Sequence, residues 1–171
     1  PGWDDWRAVT DGTVYSYGTQ VFDVNGSRWI SRQHNTRTIT RLAIDRMTPG
    51  IRPYFVWMNY LAPHSGYSDE SNGPPVPLAR DLHTPVPDLK VRGERDLSDK
   101  SAEVRRKHGL SVVDEAIIQR NYKARIRSLM GVDRKIGLMV KYLVDTGQLD
   151  DTLLIFVSDN GFLHGEHNIR S

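Results

Sequence analysis

The hydrophobic pattern contains two short, mostly apolar runs, each of which stops at a polar turn. The first covers residues 53–61 and is followed by Ala-Pro-His at 62–64. The second covers residues 153–157 and is followed by Ser-Asp-Asn-Gly at 158–161. Continuous apolar runs of this length are typical of strands buried on both faces of a sheet. We therefore predict an α/β fold with a central, mostly parallel sheet that is flanked by helices.

The segment before the second run predicts a long helix. Residues 115–146 carry apolar side chains at the 3.6-residue period of a helix, and Gly147 follows as a stop. A helix of this length can cover one face of a sheet and return the chain, so the two runs are predicted to be parallel neighbours joined by a right-handed crossover. His64, Asp159 and Asn160 would then lie at one edge of the sheet, where open α/β sheets bind ligands.

The rest of the pattern predicts smaller elements. Asn25-Gly26, within the β-branched and aromatic segment 13–29, indicates a two-residue hairpin turn. A short amphipathic helix is predicted to begin at a cap formed by Asn35 or Thr36 and to stop at Pro49-Gly50. Residues 65–110 are rich in proline and show no sustained period, so we expect a long surface excursion that helps to wall a substrate crevice.

Composition narrows the class of protein. The 171 residues are 38% hydrophobic, and the formal net charge is only +2, which does not favour nucleic acid or a membrane surface as a partner. No apolar segment is long enough to span a membrane. The sequence contains no cysteine, so these residues form no disulfide, thiolate metal site or cysteine nucleophile. The composition leaves the cellular location undecided.

Taken one at a time, the polar groups after the runs allow more than one interpretation. Asp159 and Asn160 offer a carboxylate and an amide oxygen, which suit Ca²⁺ or Mg²⁺, but calcium takes about six to eight oxygens and an ordinary Asp-Asn-Gly turn explains the same residues. His64 alone is compatible with a structural role. His164 and His167 could form a His-x-x-His zinc pair only with further ligands. Ser158-Asp159-Asn160 also matches penicillin-binding enzymes, but Ser-x-x-Lys and Lys-Thr-Gly are absent from the sequence.

Taken together, three segments resemble the type I sulfatases of the alkaline phosphatase superfamily. The strand and metal-binding turn of that family is similar to TLLIFVSDNGFLHGEH at 152–167. Its Ala-Pro-His strand is similar to YFVWMNYLAPH at 54–64, and the helix before the turn is similar to RNYKARIRSLMGVDRKIGLMVKYL at 120–143. Three segments in the same order are far more specific than any one of them.

The resemblance implies a sulfuric ester hydrolase that acts on a small-molecule or carbohydrate sulfate ester. Asp159 and Asn160 correspond to two ligands of the family's divalent cation, usually Ca²⁺ but alternatively Mg²⁺. His64 corresponds to the histidine that contacts the sulfate and can protonate the leaving oxygen. The metal would act as a Lewis acid on a sulfuryl oxygen.

The resemblance also implies parts that these residues do not contain. The family's nucleophile is a formylglycine made within a Cys/Ser-x-Pro/Ala-x-Arg motif, which does not occur here. We therefore expect residues 1–171 to be an internal part of one catalytic domain, with the nucleophile in an N-terminal part and with no activity on their own. Two alternatives stay open. One is a phosphodiesterase or phosphonate monoester hydrolase of the same superfamily, and the other is a non-catalytic binding domain on the same scaffold.

Overall fold

The computed structural model describes residues 2–10, 12–50, 53–67, 73–90 and 96–169. Its strands, in chain order, are β1 (Arg7–Thr10), β2 (Gln20–Val24) and β3 (Ser27–Ser31). Its α-helices are α1 (Asn35–Ile44), α2 (Ala102–Arg105) and α3 (Val112–Asp145), and 3₁₀ turns lie at Ala79–Asp81, Leu149–Asp151 and Glu166–Asn168. None of the helices in these ranges is long and apolar enough to cross a membrane.

The three strands form one antiparallel sheet in the order β1-β2-β3. The predicted hairpin is confirmed, because β2 and β3 pair directly and Asn25 and Gly26 form the connection. Both connecting residues have positive φ, 54° and 85°, as the favoured two-residue hairpin turn requires. On one face Phe22 lies opposite Trp29, with ring centroids 5.3 Å apart.

Helix α1 is present, but its predicted cap, Asn35 or Thr36, is wrong by one or two residues. His34 is the cap, since its Nδ1 accepts a hydrogen bond from the Thr36 amide at 3.2 Å. The other ring nitrogen, Nε2, lies 2.9 Å from the Val76 carbonyl, so the imidazole also connects the helix to a distant loop. The helix ends at Ile44, before the predicted stop at Pro49-Gly50, and Asp45 is its C-cap.

Helix α3 confirms the predicted long helix. It begins at a capping box in which the Ser111 side chain accepts from the Asp114 amide and the Asp114 carboxylate accepts from the Ser111 amide. The chain leaves the helix through Gly147, whose φ of 67° favours glycine. One side of α3 packs against α1, and this contact forms the main apolar cluster, which contains Ala43, Met47, Met139 and Leu143.

The two apolar runs form no helix, and neither belongs to a strand ladder within the described ranges. In the first run, Val56 and Met58 pack against the main apolar cluster, whereas Phe55 and Trp57 are 74% and 67% exposed. In the second run, every side chain from Leu153 to Val157 is at least 55% exposed. A strand needs a neighbour to pair its backbone groups, and the observed sheet is formed by other residues and is antiparallel. The central parallel sheet therefore stays a prediction.

The contacts that precede and follow the two runs nevertheless fall in the same order along α3. The Tyr54 hydroxyl donates to Gln148 Oε1 at 3.1 Å, just before the second run begins. The first run then passes Leu143 and reaches the cluster of Tyr17, Ala62 and Val132, nearer the start of the helix. The second run ends in a segment whose His164 contacts Arg125, still nearer the start.

The described part of the excursion at 65–110 is anchored on α3 by polar contacts. The buried Asp81 forms an ion pair with Arg134, and Arg127 Nε donates to the Thr84 carbonyl at 2.9 Å. Further along, Asp88 accepts from Gln119 and pairs with Lys123 at 2.6 Å. These contacts hold the described part of the excursion, which includes α2 and one 3₁₀ turn, against α3. Its role as a wall of a substrate crevice stays a prediction.

Candidate active site

His64 follows a cis peptide bond between Ala62 and Pro63 and lies at the exposed end of the first run. Its main chain is fixed, since its carbonyl accepts from the hydroxyl of the fully buried Tyr17 at 2.7 Å. Its imidazole stacks on Tyr15, and its Nδ1 lies 2.6 Å from the Ser65 carbonyl. Because a carbonyl only accepts, Nδ1 carries a proton and Nε2 is left as the atom that can meet a substrate.

Asp159 and Asn160 lie in an exposed turn that is closed by its own hydrogen bonds. The Asn160 amide donates to Asp159 Oδ1 at 2.9 Å, and the Ser158 hydroxyl donates to the Asn160 carbonyl at 2.6 Å. Asn160 Nδ2 donates to the Gly161 carbonyl at 2.9 Å. Asp159 Oδ2 and Asn160 Oδ1 are therefore the oxygens that this turn leaves for coordination.

The structure does not bring the predicted site residues into contact. Within the described ranges no hydrogen bond, ion pair or ring contact joins His64 to Asp159 or Asn160. Nor does that part of the chain hold a group of three or more His, Cys, Asp or Glu side chains that could bind a metal ion. The turn thus supplies two hard oxygens of the kind that Ca²⁺ and Mg²⁺ prefer, and further ligands are needed to complete a site.

A cluster that the sequence pattern did not reveal lies just beyond this turn. Arg125 of α3 is 4% exposed, and its guanidinium carbon stands 3.8 Å from the centroid of the Phe162 ring. Its Nη1 lies 3.4 Å from His164 Nδ1, and Tyr122 meets the His164 ring edge-on at 5.5 Å. The helical period of the apolar residues predicted that Arg125 lies on the solvent-exposed face of α3. A pattern of residue types cannot show which arginines on that face other segments bury.

The same cluster sets the chemistry of His164. Arginine has no acceptor, so His164 Nδ1 accepts the hydrogen bond and the ring is neutral with its proton on Nε2. Burial lowers the pKa of His164, and the nearby Arg125 charge lowers it further, although Glu166 opposes both. With Nδ1 used in this way, the His164–His167 zinc pair would have to bind through the other nitrogen and with ligands from elsewhere.

Comparison with known proteins decides the family. A family model described as Sulfatase matches residues 5–171. The chain belongs to the sulfatase family. It is 27% identical over 188 residues to an arylsulfatase of Volvox carteri, covering 97% of this chain and 29% of that protein. It is 26% identical over 159 residues to an arylsulfatase of Clostridium perfringens, covering 82% of this chain and 30% of that protein.

A third relative extends the comparison to the superfamily. The multifunctional alkaline phosphatase superfamily protein PehA of Trinickia caryophylli is 27% identical over 129 residues, covering 69% of this chain and 25% of that protein. No solved structure matches the chain significantly. This sulfatase chain therefore spans less than a third of the length of these relatives.

Family membership settles the coarse features of the chain. The resemblance to type I sulfatases of the alkaline phosphatase superfamily is confirmed, and with it an α/β fold of the alkaline phosphatase type. Sulfatases generally use a divalent metal and a formylglycine.

Proposed function

We propose that the protein containing this chain is a divalent-metal-dependent sulfuric ester hydrolase. The observation that carries this proposal is the match of the Sulfatase family model to residues 5–171. This range includes His64, Asp159 and Asn160, the polar residues that follow the two apolar runs. In the structure His64, Asp159 and Asn160 are exposed, and three of their polar atoms have no protein partner among the described residues: Nε2 of His64, Oδ2 of Asp159 and Oδ1 of Asn160.

In the complete domain, we propose that the two apolar runs are parallel strands of a central sheet. Tyr54 of the first run donates to Gln148, five residues before the second run, and the contacts that follow both runs lie nearer the start of α3. Val56 and Met58 face the helices, as one face of a helix-covered strand does, and the exposed Phe55 and Trp57 form its other face. Neighbouring strands would pair with the backbone edges of the runs, further helices would cover the face of Phe55 and Trp57, and His64 and Asp159 would lie at one edge of the sheet.

Asp159 and Asn160 are proposed to supply two of the ligands of a Ca²⁺ or Mg²⁺ ion. Their donor chemistry fits such an ion, since both free atoms are hard oxygens in an exposed turn. When bound, the cation supplies Lewis acid polarisation of a sulfuryl oxygen. A formylglycine nucleophile is proposed to come from another part of the protein, because the 171 residues contain no Cys/Ser-x-Pro/Ala-x-Arg motif. The remaining ligands are proposed to come from other parts as well, since the described residues hold no group of three or more possible ligands.

His64 is proposed to contact the sulfate and to protonate the leaving oxygen. The Ser65 carbonyl holds the Nδ1 proton, so a second proton binds at Nε2, which can donate it to the leaving group. Stacking on Tyr15 and the bond from Tyr17 to the His64 carbonyl fix the direction in which this nitrogen points. The substrate is proposed to be a small-molecule or carbohydrate sulfate ester.

The experiment compares variants of the full-length protein with 4-nitrophenyl sulfate as the probe substrate and bound calcium as a second readout. We expect Asp159→Ala and Asn160→Ala to lose both bound metal and turnover, because each removes a ligand. His64→Ala should lower turnover by about 10²–10⁴-fold and leave the metal bound. Asp151→Ala is the matched control, since this exposed aspartate precedes the second run and should change neither quantity.

Three results would overturn parts of this proposal. Unchanged calcium content in Asp159→Ala would remove that residue from the metal site. Loss of metal in His64→Ala would contradict its role as a proton donor. Faster turnover of bis(4-nitrophenyl) phosphate than of the sulfate by the wild-type protein would favour the phosphodiesterase alternative, and bound metal without turnover of sulfate, phosphodiester or phosphonate probes would favour a binding domain.

A further inference from the structure

Arg125 is a buried cation without a carboxylate partner in the described part of the chain. Its Nε–H is buried and donates to no partner there, and burial alone lowers the pKa of the guanidinium. An unpaired buried charge is costly, because the low dielectric of the interior does not replace its hydration. The contacts that Arg125 does make must therefore offset the cost of burying its charge.

Those remaining contacts converge on one short segment. Phe162 presents its ring face to the guanidinium at 3.8 Å, and His164 accepts from Nη1 at 3.4 Å. A desolvated contact between a cation and an aromatic ring is among the stronger contacts of its kind. Both partners follow directly after Asp159 and Asn160, at the point where the chain returns to α3. The cation therefore connects a rigid helix to the segment that carries the proposed metal ligands.

The hydrogen bonds of the turn are local. The hydrogen bonds described for Ser158, Asp159 and Asn160 all stay within residues 158–161. On the other side of the Arg125 contact, the His164 amide donates to the Glu166 carboxylate, which closes the segment on itself. The long-range tether nearest the turn is thus the pair of contacts from Phe162 and His164 to Arg125.

We propose that Arg125 is a positioning residue that holds Asp159 and Asn160 in the geometry a divalent cation requires. The inference rests on the proposed metal role of those two residues. Arg125 acts through Phe162 and His164, because at 4% exposure it lies behind these rings and does not face a substrate. The planar guanidinium serves both contacts at once, stacking on one ring and donating to the other, which a lysine ammonium cannot do.

The test measures calcium affinity by titration calorimetry on the metal-free, full-length protein. Arg125→Met removes the charge and keeps the aliphatic stem, and we expect it to weaken calcium binding by about 10–100-fold, as changes behind a metal site typically do. Arg125→Lys keeps the charge but not the planar group and should also weaken binding, by about tenfold. Arg127→Met is the matched control, because Arg127 lies on the same helix but donates to the Thr84 carbonyl.

A double variant tests whether Arg125 affects calcium binding through the Phe162 ring. If Arg125 acts through the Phe162 ring, then Phe162→Leu should weaken calcium binding, and Arg125→Met combined with Phe162→Leu should be little worse than either alone. Excess calcium should also restore most of the turnover of Arg125→Met, since its ligands are all present. A purely structural role would lower thermal stability without shifting calcium affinity.

The outcomes separate this inference from the proposed function. Calcium affinity unchanged in both Arg125 variants, while Asp159→Ala loses it, would overturn the inference and leave the proposed metal site intact. Additive effects in the double variant would also overturn it. Calcium affinity unchanged in Asp159→Ala would reject the metal site itself and the inference with it.

Discussion

The ring of Tyr15 stacks on the imidazole of His64, with 4.9 Å between the ring centroids and 24° between their planes. Tyr15 lies in the connection between β1 and β2, so the small antiparallel sheet supplies a wall for the proposed proton donor. Two residues further on, Tyr17 fixes the main chain of the same histidine. A part of the sequence that carries no family motif therefore orients one that does.

The stacking partner of His64 should control turnover. Tyr15→Leu removes the flat surface against which the imidazole lies, so His64 Nε2 should lose its fixed direction. We expect kcat on 4-nitrophenyl sulfate to fall about tenfold, because small misplacements of a catalytic group are costly. Tyr15→Phe keeps the ring and should stay close to wild type. Equal losses in both variants would show that the hydroxyl, and not the stacking, matters.

Gly66 should not tolerate a side chain. A Cβ at this position would stand 2.4 Å from the Tyr15 carbonyl oxygen, and the Tyr15 and Tyr67 backbones meet there through a 3.0 Å hydrogen bond. Since backbone atoms cannot move aside without breaking such bonds, Gly66→Ala should lower the free energy of unfolding by about 1–3 kcal/mol. Urea denaturation of the full-length protein measures the change.

Gly73 provides the matched control for this substitution. It pairs with Gly66 across an isolated β-bridge, but a Cβ at Gly73 would meet nothing within 4 Å. Gly73→Ala should therefore leave stability within about 0.5 kcal/mol of wild type. A similar loss in both variants would point to the flexibility of glycine in this bridge and would contradict the steric explanation.

His34 should make stability depend on pH. Burial lowers the pKa of His34 below its ordinary value of 6.5 and the charge of Arg37 lowers it further, although the Val76 carbonyl opposes the shift. Protonation would place a proton on Nδ1, which now accepts from Thr36. Between the lowered pKa and 6.5 the unfolded chain binds more protons than the folded chain, so this stabilisation is fully present above pH 6.5 and declines as pH falls below it.

The measurement is the free energy of unfolding as a function of pH, compared between wild type and His34→Asn. Asparagine can cap the helix without titrating, so the variant should show a weaker decline of stability below pH 6.5. The groups that face His34 are Tyr17, with ring centroids 5.4 Å apart, and Arg37. His83→Asn, which changes an exposed histidine, should keep the wild-type decline. An identical pH profile in His34→Asn would remove His34 as the cause.

Local patterns of the sequence were sufficient for the local elements. The Asn25-Gly26 turn and the long α3 helix were both predictable, because turn chemistry and helical periodicity act over a few residues. The cap of α1 was misplaced, since histidine is an unusual cap and its choice depends on a bond to Val76, far along the chain. The same limit applies to the Arg125 cluster, in which the partners are 39 positions apart in sequence.

The two apolar runs show why the central sheet could not be confirmed. Their residue types favour buried strands, but a strand forms only when another segment offers matching backbone groups. Among the described residues, the first run finds helices on one face, and the second run finds almost no cover. Residue types in a short run indicate a strand, whereas pairing depends on another segment that offers matching backbone groups.

The exposed run from Leu153 to Val157 also affects the solubility of the isolated chain. Five adjacent apolar residues without charge or proline are prone to stack with identical segments of other molecules into cross-β aggregates. Isolated 171-residue material should consequently need a solubilising fusion to stay monomeric.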